Sequence, residues 1–260
     1  MVAGQSAATA ACASNPMKLL VPRARGGSVW ACVGSLGGGF VAGDETSLDV
    51  RLGAGARCFL TTQASTKIYR NPRLRRCGHA LRAHLGDDSL LVLAPDPVQS
   101  FAASTYHQRQ EFYLQAGAGL VLLDWFCSGR VARGERWSFT KLQSRNEVFL
   151  GQERLLLDSL LLDQTHGPLD APSRMGRFNC LALLVLVGPM LADAAARMLA
   201  EVEALPVTRQ AELIVSASPI RHGAVLRIAG EHGEAVGREV RRRLAFVSDL
   251  LGDDPWARKW

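Results

Sequence analysis

Short apolar segments recur at even spacing through the first two thirds of the chain, and glycine-rich turns separate them. This punctuation restricts the fold more than any other feature. Val29-Trp30-Ala31-Cys32-Val33 is an apolar run that ends in glycines. Residues 47–52 alternate as Ser-Leu-Asp-Val-Arg-Leu, the pattern of a half-buried strand. Gly53-Ala54-Gly55-Ala56 then turns the chain into Arg-Cys-Phe-Leu-Thr at 57–61. Residues 79–85 alternate weakly, and Gly86-Asp87-Asp88-Ser89 marks a turn before Leu-Leu-Val-Leu at 90–93. Segments 109–114, 119–125 and 137–142 keep the spacing. The leucine-rich stretch 153–163 lacks a clean helical stripe and reads as strands. The pattern predicts a mainly β (α+β) fold of many short, mostly antiparallel strands in two layers.

Two helices are expected in the C-terminal third. One opens at Pro189, a favourable first-turn residue, with Leu191, Ala195, Met198 and Val202 on one face. The other runs over about 235–251, where Val236, Val240, Leu244, Val247 and Leu251 form an apolar stripe. Residues 213–215 and 225–228 read as strands between them. Residues 1–16 are expected to be a disordered tail, and 17–260 a single domain.

Composition excludes several classes. With 48% apolar and 21% charged residues in 260, the chain can bury a core and is not disordered in bulk. Its 25 glycines and 11 prolines argue against a coiled coil. The six cysteines form no CxxC, so neither a disulfide scaffold nor a zinc ribbon is expected, and free buried thiols are. The longest apolar run, 181–187, is broken by Gly188-Pro189 and falls short of the about 20 residues of a membrane span. No secretory h-region precedes Pro16, so the expected compartment is cytoplasmic. The net charge of +6 is dispersed over two clusters, 70–76 and Arg238 with Arg241, Arg242 and Arg243. Without interleaved aromatics these read as solvated faces, with an anionic protein partner as the next reading and no role in nucleic-acid binding.

Enzyme motifs are weak. Residues 37–42 fit GxGxxA, but Gly43-Asp44 and an alternating strand follow where a dinucleotide fingerprint needs a helix. His79 and His84 share one face of neither a helix nor a strand, and His222 and His232 read as surface residues. No nucleophile, base and orienter occur together.

Three segments are distinctive. They are Gly37-Gly38-Gly39-Phe40-Val41-Ala42-Gly43-Asp44, Thr61-Thr62-Gln63-Ala64-Ser65-Thr66-Lys67-Ile68-Tyr69-Arg70, and Asp124-Trp125-Phe126-Cys127-Ser128-Gly129-Arg130 with Gly134-Glu135-Arg136-Trp137. Together they resemble the urease accessory protein family UreD, called UreH in some organisms. Met17-Lys18-Leu19-Leu20-Val21-Pro22, Pro95-Asp96-Pro97-Val98 and the terminal Trp256-Ala257-Arg258-Lys259-Trp260 extend the likeness. It departs from the family at the N-terminus, which lacks the first strands that many members carry.

The resemblance implies a non-enzymatic scaffold that acts with UreF and the GTPase UreG on apo-urease. It implies a fold of mostly β structure with two helices, and an internal tunnel that passes Ni²⁺ in transit, with no tightly bound cofactor. It places Asp44, Thr66, Asp124 and Asp158 along the tunnel. Two of these have a physical counterpart in the sequence. Asp124 interrupts Leu120-Val121-Leu122-Leu123, and Asp158 sits between Leu155-Leu156-Leu157 and Leu160-Leu161-Leu162. A carboxylate in a dry β core costs several kcal/mol unless paired, hydrated or metal-bound. The competing reading of each aspartate is a turn cap or an arginine salt bridge. Lys67, Tyr69 and Arg70 are expected to order a loop near the channel. Gly129, Arg130, Gly134 and Glu135 are expected to build a hairpin turn with an Arg130–Glu135 ion pair. A β-rich ligand-binding module, and less favourably a nucleotide-binding enzyme using Gly37 to Ala42, are the alternatives.

Overall fold

The structure is a computed structural model that describes residues 4–23, 26–73, 75 and 77–258. The strands are β1 (Met17–Leu20), β2 (Val29–Ser35), β3 (Gly39–Phe40), β4 (Glu45–Leu52), β5 (Arg57–Thr62), β6 (Thr66–Ile68), β7 (Gly78–Leu85) and β8 (Leu90–Leu93). They continue as β9 (Val98–Ser100), β10 (Thr105–Leu114), β11 (Gly119–Cys127), β12 (Lys141–Leu150), β13 (Glu153–Asp163), β14 (Cys180–Val187), β15 (Leu213–Ile220) and β16 (Gly223–Gly230). The α-helices are α1 (Ala192–Glu203), α2 (Gly233–Arg243) and α3 (Val247–Leu251). No helix among the described residues is long and apolar enough to cross a membrane.

The strands form two mixed sheets, so the mainly β reading holds. The larger runs β1-β2-β5-β8-β11-β14-β16-β15, with β3, β6 and β9 attached. The smaller runs β13-β12-β10-β7-β4. The expectation of mostly antiparallel pairing fails. β4, β7, β10 and β12 pair in parallel, and so do β2, β5, β8 and β11. The glycine turns are the reason. The turn after β4 leads to β5 in the other sheet, and the turns after β7 and β10 do the same. They are arches between layers, not hairpins within one. Same-sheet neighbours therefore run in the same direction. The arches stack through backbone bonds, with Gly55 N–H donating to Asp87 O and Asp88 N–H to Ala116 O. Antiparallel pairing is confined to β1–β2, β12–β13 and the β11-β14-β16-β15 end among the described residues.

The helices cover the outer face of the larger sheet, where Leu191, Ala195, Met198, Val236, Val240 and Leu244 pack on Val121, Leu184 and Leu226. The single helix expected over 235–251 is two. The chain leaves helical geometry at Leu244 and resumes at Val247, which keeps both side chains in the core. The strand expected from Trp137 begins only at Lys141, because Trp137 adopts φ +51° and its indole N–H donates to Phe178 O at 2.8 Å. Arg243 does not lie on a solvated face. It is buried, with Nε on Glu239 at 2.8 Å and Nη1 on Glu201 at 2.8 Å. Within the segment read as a tail, Ser6 is buried and its Oγ accepts the Arg57 amide at 2.9 Å.

Between the sheets the core is divided. One apolar cluster holds Leu85, Phe112, Leu122, Val148 and Leu156, and another holds Tyr106, Phe126, Leu142 and Leu162. The strands switch character at the same level. β10 reads Tyr106, Gln108, Gln110, Phe112 on its buried face, and β12 reads Leu142, Ser144, Asn146, Val148. β11 places Asp124 between Leu122 and Phe126, and β13 places Asp158 between Leu156 and Leu160. A polar stratum thus crosses the interior of the sandwich.

Candidate functional site

The stratum centres on Asp124, which is 4% exposed. Its Oδ1 accepts from Gln108 Nε2 at 2.9 Å. Its Oδ2 accepts from Ser144 Oγ at 2.7 Å and Asn146 Nδ2 at 2.9 Å. The donors come from β10 and β12, so one carboxylate of the larger sheet is held by two strands of the smaller. Burial raises the Asp124 carboxyl above the usual range, the bonds from Asn146, Ser144 and Gln108 oppose that rise, and the negative Asp158 adds to it. Asn146 is fully buried, and its Oδ1 has no hydrogen-bond partner. A carboxylate has about four lone-pair sites, so three donors leave acceptor capacity on Asp124. The stratum is therefore rich in free oxygen lone pairs, the ligand type of hard or borderline cations.

Two cavities meet at this carboxylate. A cavity of ≈ 70 Å³ is lined by Asp124, Gln108, Gln110, His79, Thr62 and Thr66, among others. A second, of ≈ 480 Å³, is lined by Asp124, Asp158, Ser216 and Arg227, among others. A third, of ≈ 90 Å³, shares Met17, Phe40, Thr62 and Thr66 with the first and reaches Gly38 and Gln63. The cavities form a series from the Gly38–Gln63 surface, past Asp124, to the Arg227 surface.

Of the four aspartate and threonine candidates, the series gathers Thr66, Asp124 and Asp158. Asp158 is paired there, with Oδ1 2.9 Å from Arg227 Nη2. Asp44 lines neither cavity that meets at Asp124. Its Oδ2 accepts the Val41 amide at 2.8 Å and caps the turn before β4.

The motif segments wall the narrow end. Thr61 Oγ1 donates to Ala94 O at 2.7 Å, and Thr62 Oγ1 donates to Asp96 Oδ2 at 3.0 Å. Tyr69 O–H donates to Gly37 O at 3.1 Å and ties the Thr-Thr-Gln segment to the glycine loop. Gly39 pairs with Lys67 where β3 runs parallel to β6, and a Cβ there would collide with Lys67 O. Gly38 and Gly43 adopt φ +72° and +96°, the left-handed region that glycine tolerates. Gln63, Lys67 and Arg70 are exposed. Arg130 Nε donates to Glu135 Oε2 at 2.9 Å, and Gly129 and Gly134 take positive φ around a short 3₁₀ turn. The glycine loop opens no helix. It enters strand β3, so the dinucleotide geometry is absent there.

His79, Gln108, Gln110, Ser144 and Asn146 belong to the site and were not among the sequence candidates. Thr46 Oγ1 lies 2.9 Å from His79 Nδ1, and burial pushes the imidazole down to about 4, so His79 is neutral at physiological pH. The Tyr-x-Gln-x-Gln alternation at 106–110 carries the polar signal, but only if the strand is started at 105.

Residues 2–260 match the family described as UreD urease accessory protein. The chain is similar to "Urease accessory protein UreD" of Sorangium cellulosum, at 49% identity over all of this chain and 81% of that protein. It is 44% identical to the protein of that name from Anaeromyxobacter over 99% of this chain and 86% of the relative. "Urease accessory protein D" of Arabidopsis thaliana is 33% identical over 98% of this chain and 97% of its own length.

Proposed function

Since the chain belongs to the UreD urease accessory protein family, we propose that it is a non-catalytic subunit that passes Ni²⁺ to apo-urease through its interior. One observation carries this reading: Asp124 is a common wall of two cavities, inside a polar stratum that crosses an otherwise apolar sandwich. A desolvated cation needs oxygen or nitrogen ligands at each step of a passage. Thr66, His79, Gln108, Asp124 and Asp158 supply them in sequence. Oxygen ligands and a single neutral imidazole hold Ni²⁺ less firmly than thiolates would, which suits an ion that must leave again. The Gly38–Gln63 mouth and the Arg227–Asp158 mouth are the two ends, and UreF with the GTPase UreG would feed one of them. The cation is cargo and has no resident site.

Complex formation tests the assignment first. Co-expression with UreF should give a soluble complex that binds apo-urease, and failure to form one counts against the reading. A β-rich ligand-binding module without a urease partner is what such a failure would favour.

A further inference from the structure

Cys127 and Cys180 face each other across β11 and β14. The adjacent pair, Ser128 and Asn179, is hydrogen-bonded, since the Ser128 amide donates to Asn179 O at 2.8 Å. Antiparallel pairs alternate, so the cysteines occupy a non-hydrogen-bonded pair, whose Cα atoms are about 4.5 Å apart and whose side chains are close. That spacing lies within the roughly 4.4–6.8 Å that a disulfide spans. The two sulfurs are already 3.4 Å apart and hydrogen-bonded as free thiols. Forming a bond of about 2.05 Å asks for little more than side-chain rotation.

The two thiols differ in access. Cys180 is fully buried, whereas Cys127 is only half-buried, which makes it the more accessible thiol of the pair. The Cys180 S–H favours a thiolate on Cys127 and brings that thiol below its usual range. Burial instead pushes Cys58 and Cys77 up to about 12, which leaves them inert. Cys12 is exposed but forms no such pair.

We propose that Cys127 and Cys180 form a reversible dithiol–disulfide site whose reaction partner is a low-molecular-weight disulfide of the glutathione class. The Cys127 thiolate attacks one sulfur of oxidised glutathione. A mixed disulfide forms, the glutathione S–S bond breaks, and one glutathione thiolate leaves. Cys180, buried against the mixed disulfide, then attacks the Cys127 sulfur, and its proton passes to the second glutathione sulfur as that leaves as a thiol. The cysteine pair loses two electrons, and oxidised glutathione gains them. The new bond ties β11 to β14 beside Phe126 and Leu181, which line the ≈ 480 Å³ cavity at Asp124. The site stands on the pairing of two strands and does not depend on what passes through the cavity.

The test equilibrates the full chain with oxidised and reduced glutathione at a series of ratios, alkylates the remaining thiols, and maps peptides by mass. The expected result is a Cys127–Cys180 linked peptide under oxidising ratios that returns to two alkylated cysteines under reducing ones. In Cys180→Ser, glutathione should stay on Cys127 as a mixed disulfide. Two alkylated cysteines at every ratio would overturn the proposal. So would wild-type protein that stops at the mixed disulfide.

Discussion

Asp124 on β11 and Asn146 on β12 belong to different sheets, and the Asn146 amide nitrogen donates to Asp124 Oδ2 at 2.9 Å across the interior. The contact joins the layers at a level where both neighbouring clusters are apolar. Removing it leaves the carboxylate buried with one donor fewer. Asn146→Leu should lower unfolding stability by about 1–3 kcal/mol. The same change should move the Asp124 carboxyl further up, since a bond that opposes the effect of burial is lost. Urea unfolding and carboxyl titration by NMR check the two parts.

His79 gives a pH signature. Its folded-state value of about 4 lies below the ordinary 6.5, so the unfolded chain binds the proton first as pH falls. The contribution is fully present above pH 6.5 and is lost as pH falls from 6.5 through 4, by up to about 3 kcal/mol. In His79→Gln the slope of unfolding free energy against pH should flatten in that window. An unchanged slope would mean that His79 is not desolvated.

Asp158 can be altered cheaply. Its partner Arg227 is 55% exposed, and pairs of that kind contribute about 0–1 kcal/mol. Asp158→Asn should leave the melting temperature nearly unchanged while lowering the nickel delivered to urease. A calorimetric scan beside a metal assay separates delivery from folding.

Gly39 is predicted to tolerate no side chain. The Cβ of alanine would strike Lys67 O and press on the Tyr69 ring, so β3 and β6 must part. Gly39→Ala should cost about 1–3 kcal/mol, read by thermal unfolding.

The strand positions were legible because apolar runs and glycine turns are local signals. The direction of pairing was not. Gly53-Ala54-Gly55-Ala56 reads the same whether it returns the chain to its own sheet or to the facing one, and only the stacked arches decide. Asp124 and Asp158 stood out as charges inside leucine runs. Asp44 did not reach the cavities, because a carboxylate three residues after an amide can cap a turn just as well as line a channel. Gln108, Ser144 and Asn146 were not selected because neutral polar residues in a strand look like a solvated face until the second sheet covers them. Arg243 shows the converse, since its cluster of arginines gives no hint that Glu201 and Glu239 draw one of them inward.

The most direct measurement is the nickel content of urease matured with an Asp124→Leu chain whose complex with UreF and urease is verified by co-purification. Asp124→Asn, which keeps the shape and one acceptor, runs beside it in case leucine strands the donors of Gln108, Ser144 and Asn146. The expected result is an assembled complex with urease nickel well below wild type in both variants. Wild-type nickel loading through an assembled Asp124→Leu complex would contradict passage at this carboxylate.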